Sequence, residues 1–122
     1  MYSEKAINRF KNPRFVGEIK NPSGVGEAGN LACGDVIRVY IKVKGDVLED
    51  VRFETYGCVA AIAASDTICG LARGKRLDEV MALTYDDIIK DLGGLPPVKY
   101  HCSIMGIEAL KKAIVDYQRK GL

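Results

Sequence analysis

The chain has 122 residues, a length that fits one compact domain spanning 1–122. With 48% hydrophobic and 28% charged residues, it can build a core without disulfide staples. Its 18 basic and 16 acidic residues leave a net charge of only +2, no electrostatic footprint for nucleic acid or an anionic membrane, and no apolar run nears the roughly 20 residues of a membrane span.

The first residues, Met1-Tyr2-Ser3-Glu4-Lys5, lack an apolar stretch of signal-peptide type, so the expected location is cytoplasmic. Tyr2, Ala6, Ile7 and Phe10 recur at helical spacing ahead of Asn12-Pro13. That predicts a helix over 2–10 that stops before the proline. Residues 14–20 allow a short strand. Residues 21–32 are rich in glycine and turn formers. They predict a mobile loop that ends at Cys33 and orders when a site there is filled.

Val36 to Val43 alternates, with Ile37, Val39, Ile41 and Val43 on one face and Arg38, Tyr40 and Lys42 on the other. Lys44-Gly45-Asp46 supplies a turn. Val47 to Tyr56 alternates again, with Val47, Val51 and Phe53 facing one way, so the two strands predict an antiparallel hairpin. Gly57 breaks the pattern. Cys58 to Ala72 is alanine-rich with Ile62, Ile68 and Leu71, which suits a tightly packed helix closed by Arg73-Gly74. Residues 77–81 and 85–92 predict two short helices. Gly93-Gly94-Leu95-Pro96-Pro97 predicts an irregular or extended loop, since two prolines lock the backbone and withhold donors. Residues 103–120 predict a last helix, with Glu108 early and Arg119 and Lys120 late to match its dipole.

Four cysteines occur, at 33, 58, 69 and 102, with no CxxC pair. Three stand at junctions: Cys33 where the glycine-rich loop enters a strand, Cys58 where a strand turns into a helix, Cys102 where the double-proline loop enters the last helix. A helix N-terminus favours an anion, so Cys58 and Cys102 are expected to carry acidified thiols. Asp35 lies two residues from Cys33, and in extended chain such residues point to the same side. His101, the sole histidine, adjoins Cys102. Cys69 is eleven residues past Cys58, about 16 Å along a helix. With metal–sulfur bonds of about 2.3 Å, no one small site can include both, which assigns Cys69 to the core. These residues license a soft-metal or thiolate site. Burial as small apolar residues is the competing reading.

Ala32-Cys33-Gly34-Asp35, Thr55-Tyr56-Gly57-Cys58 with Ala61-Ile62-Ala63, and Leu95-Pro96-Pro97-Val98-Lys99-Tyr100-His101-Cys102-Ser103 resemble the IscU/NifU-type iron–sulfur cluster assembly scaffold family. Asn12-Pro13-Arg14 and Gly74-Lys75-Arg76-Leu77-Asp78-Glu79 resemble it too. The resemblance implies an α+β fold, with a small three-stranded antiparallel sheet packed against helices and a long C-terminal helix. It implies a non-enzymatic scaffold holding a labile cluster, 2Fe–2S by preference, on Cys33, Cys58 and Cys102. Asp35 would be the fourth ligand, or His101 in some states, and zinc could occupy the same pocket. Sulfur would come as persulfide from a cysteine desulfurase with Cys102 as acceptor, and apo iron–sulfur proteins would receive the cluster. Leu95, Pro96, Pro97, Val98 and Lys99 would be read by an Hsp70-type chaperone system; rigid aiming of His101 and Cys102 is the other reading of that segment. A homodimer shielding the cluster is a further expectation. Two departures stand out: Val59-Ala60 where the family has Gly-Ser, and Asp66 where it has a serine.

Three other functions use the same residues. A structural zinc protein needs the same Cys/Asp/His set. A thiol enzyme would pair Cys102 as nucleophile with His101 as base, but such partners normally meet from separate elements. An α+β interaction domain with core cysteines is the third.

Overall fold

The computed structural model describes residues 3–30, 35–56, 59–93 and 100–120; at 30, 35, 59, 60 and 100–103 it describes the backbone. The elements run α1 (Glu4–Lys11), β1 (Gly24–Asn30), β2 (Asp35–Lys44), β3 (Val47–Tyr56), α2 (Val59–Ala72), α3 (Leu77–Met81), α4 (Tyr85–Asp91) and α5 (Tyr100–Lys120). The sheet order is β1-β2-β3, antiparallel throughout, as the α+β reading required.

The hairpin forms as its alternation predicts. Gly45 and Asp46 both take positive φ, 59° and 62°, which matches a two-residue turn of type I′. One detail differs. Lys42 pairs with Asp50 but Val43 pairs with Leu48, so Glu49 is an extra residue in β3. The bulge flips the phase: Leu48, not Val47, shares the core face with Val51 and Phe53.

The third strand is not where residues 14–20 suggested. That segment makes a single parallel bridge, Val16 to Phe53, along the outer edge of β3. The strand lies instead in the stretch read as a mobile loop, of which 24–30 is paired residue for residue with β2. Its glycines are there for close approach rather than for turning. Gly24, Gly26 and Ala28 alternate onto one buried face. A Cβ on Gly26 would overlap the Ala109 carbonyl, and one on Gly24 the Ala113 carbonyl. Strand glycine commonly marks such contact with a neighbouring backbone.

α2 is buried around its whole circumference from Ala63 to Cys69. Alanine lets it fit between the sheet, α1 and α5 at no cost in helix propensity. Phe53, Ile37, Ile41, Leu48, Ile68 and Ile114 fill the space between sheet and helices. Each such side chain contributes about 1.5–3 kcal/mol by leaving water. Gly74, at φ 84°, ends α2 as expected.

Candidate functional site

The chain's direction through each element fixes which ends meet. β2 begins at Asp35, and Val36 pairs with Tyr56 at the end of β3. α2 starts at Val59, two linking residues beyond Tyr56. Along β1, Gly24 lies against Ala113 and Tyr117 while Gly26 lies against Ala109 and Ala113. α5 therefore runs antiparallel to β1 and begins beside the Asn30 end. At the other pole sit the hairpin turn and the end of α2, where Leu48 N–H donates to the Lys75 carbonyl at 2.9 Å. Four ends thus share one pole: the start of β2, the end of β3, and the starts of α2 and α5.

Asp35 is the first residue of β2 and pairs with Asn30. His101 and Cys102 lie in the first turn of α5. That helix starts at Tyr100, three residues earlier than its hydrophobic periodicity predicts, because Tyr100-His101-Cys102 lacks the apolar spacing that marks the rest. Cys33, Cys58 and Leu95–Lys99 fall outside the described residues. Among the described residues no three His, Cys, Asp or Glu side chains gather as a metal site. Cys69 is buried in the core, as its distance from Cys58 along the helix required. Burial pushes its thiol well above the ordinary value, and the negative charge of Asp66 adds to this.

The sheet's outer face beside this pole carries Glu27–Arg38–Glu54 as one rung. Arg38 donates to Glu27 at 2.7 and 2.9 Å. Those bonds raise the guanidinium pKa further, so it stays charged at any working pH. Tyr40 donates to Glu54, and that acceptor holds its hydroxyl above the usual range. Tyr56, on the next rung towards the pole, is 82% exposed.

One residue that the sequence reading passed over as a mere departure has a defined place. Asp66 lies on α2 with its side chain fully buried. It accepts from the backbone N–H of Arg14 at 2.7 Å and of Phe15 at 2.8 Å, and pairs with Arg9 at 2.8 Å. A lone charge within an alanine-rich run was the signal that could have found it, because buried carboxylates require donors.

The whole chain, residues 1–122, matches the NifU-like N-terminal domain. The chain belongs to that family. A curated iron–sulfur cluster assembly scaffold protein IscU of Archaeoglobus fulgidus is 49% identical over 120 residues, covering 98% of this chain and 78% of that protein. The IscU scaffold of Escherichia coli K12 is 48% identical over 123 residues, covering 98% and 95%. These relatives of the NifU-like chain are named as scaffolds, not as enzymes. Among solved structures, a NifU-like protein of Brucella abortus superposes with a TM-score of 0.78 at 20% identity, covering 97% of this chain and 94% of that one. A protein described as a SUF-system iron–sulfur scaffold, from Fervidobacterium islandicum AW-1, does so at 0.76 and 27% identity, covering 93% and 96%. The first supports the NifU-like fold alone. No helix among the described residues is long and apolar enough to cross a membrane.

Proposed function

We propose that this chain, an iron–sulfur scaffold of the IscU type, assembles a labile 2Fe–2S cluster on Cys33, Cys58 and Cys102 and passes it to apo acceptor proteins. The cluster is cargo. The observation that carries the proposal is the shared pole. The described residues flanking each of the three cysteines (Asp35; Tyr56 and Val59; Tyr100) belong to elements that begin or end there.

Three thiolates supply affinity for iron, a soft-site preference. Asp35 is the fourth ligand and the weak one, because a carboxylate is a harder partner. An incoming acceptor thiolate displaces it first, and His101 is its alternate. Zinc takes the same thiolates when iron and sulfide are absent.

Sulfur arrives as a persulfide on a cysteine desulfurase. The Cys102 thiolate attacks the outer sulfur, a new sulfur–sulfur bond forms, and the desulfurase leaves as thiolate. Two thiols, oxidised to a disulfide, or a one-electron carrier acting twice, supply the two electrons that reduce this sulfur to sulfide and free the Cys102 thiolate. Placement in the first turn of α5 favours the thiolate of Cys102. Leu95–Lys99 leads directly into that turn and is the segment for an Hsp70-type chaperone. The setting is the cytoplasm, and a homodimer would shield the cluster from water.

Anaerobic reconstitution with ferrous iron and sulfide tests the proposal. Visible sulfur-to-iron charge-transfer absorption should appear and should vanish when Cys33, Cys58 or Cys102 is replaced by alanine. A colourless protein that binds only zinc would leave the structural zinc reading standing instead.

A further inference from the structure

Asp66 has three donors, more than the two acceptor lone pairs of a hydroxyl could satisfy. A carboxylate is purely an acceptor with about four lone-pair positions. Here one oxygen takes two successive backbone N–H groups, those of Arg14 and Phe15, and the other takes Arg9. Arg9 supplies the counter-charge that a buried carboxylate requires.

The segment so held does not end there. The Phe15 carbonyl accepts from Phe53 N–H at 2.9 Å, and Gly17 N–H donates to the Phe53 carbonyl at 2.8 Å. The Phe15 ring also lies on α2, where a Cβ added at Gly70 would stand 3.3 Å from it. A closed circuit results. The chain leaves Phe53, passes Tyr56, links to Val59 and climbs α2 to Asp66; from there hydrogen bonds return through Phe15 to Phe53. Residues 57 and 58 are the link inside this circuit.

We propose that Asp66 is a positioning residue for the second cysteine. By tying α2 to the segment bonded to the edge of β3, it fixes where α2 begins relative to the end of β3, the two elements between which Cys58 stands in sequence. The role rests on the metal-site reading above, in which Cys58 is a ligand.

The test compares Asp66→Ala and Asp66→Asn with Val80→Ala. Val80 is fully buried on α3, near the opposite pole, so its truncation lowers stability without touching the circuit. Two quantities are read: amide hydrogen exchange across 53–56 and 59–63 in the metal-free protein, and zinc affinity by chelator competition. Asp66→Ala should speed exchange at the link at least tenfold and weaken zinc about 10–100-fold, the usual effect of losing a partner that orients a ligand. Val80→Ala should do neither. Asp66→Asn keeps an acceptor for the amides but loses the ion pair, so it falls between; it also carries the test if the alanine variant fails to fold. Release of residues 3–15 with the link still protected would overturn the proposal, as would equal loss of zinc in Val80→Ala. If the unaltered protein binds no zinc, the ligand reading fails, and exchange at the link still decides the clamp.

Discussion

Val25 donates its backbone N–H to the carboxylate of Asp116 at 3.0 Å, which fastens the edge strand β1 to the outer part of α5. Lys112 reaches the Glu27 carbonyl two residues on. A strand edge left open is a template for pairing with other chains, and these two side chains cover part of it.

The Asp116 bond makes stability depend on acid. Val25 N–H, followed by the Lys120 side chain, holds the Asp116 carboxyl below its ordinary value. The unfolded chain titrates near ~3.9. A depressed folded pKa contributes stability that is present above the unfolded value and lost as pH falls through the folded one. Asp116→Asn should therefore melt below the parent at pH 7, and the gap should narrow as pH falls below the unfolded value and through the depressed folded one. Thermal unfolding of both proteins across that window checks it; a gap that persists in acid would show that the carboxylate charge is not what matters.

Gly26 should tolerate no side chain. A methyl there meets the backbone of Ala109 and Ala113 rather than a movable side chain. Helix and strand must separate, and such overpacking costs at least ~2 kcal/mol. Denaturant titration of Gly26→Ala should show that loss, with a fall in Tm on the order of 8 °C.

Thiol labelling should divide the four cysteines three to one. Cys69 is fully buried and its thiol is held protonated by burial. A thiol reagent should modify Cys33, Cys58 and Cys102 in the folded metal-free protein and reach the fourth only in denaturant. Cys69→Ala should cost about 1–2 kcal/mol and leave cluster assembly unchanged. Mass spectrometry of the labelled peptides identifies which sulfur was spared.

If Asp35 is the exchangeable fourth ligand proposed above, Asp35→Ala should change both the cluster lifetime and the rate of transfer to an apo acceptor. Absorbance decay and circular dichroism during transfer measure the two rates. If both match the parent protein, Asp35 is not the exchange position.

Several elements were legible because their signal is local. The hairpin shows in strict alternation from Val36 to Val43 and in a Gly-Asp turn. α2 shows in its alanine run, and Cys69 in simple helical rise. Strict alternation puts Val47 on the core face with Val51 and Phe53, but a single bulged residue, Glu49, shifts the phase so that Leu48 takes that place. α5 began early because its first turn carries no apolar repeat.

By itself the sequence determined the family, the hairpin, the central helix and the cysteines available to an inorganic site. Those follow from motif identity and from repeats spanning a few residues. Only the tertiary structure decided that 24–30 is a strand, since its glycines are required by a helix more than 80 residues away. Only it revealed what Asp66 holds, since a buried carboxylate is interpretable once its donors are known, and Arg9, Arg14 and Phe15 lie more than 50 residues earlier. Close backbone approach and the pairing of buried charge are non-local conditions, and no period along the chain records them.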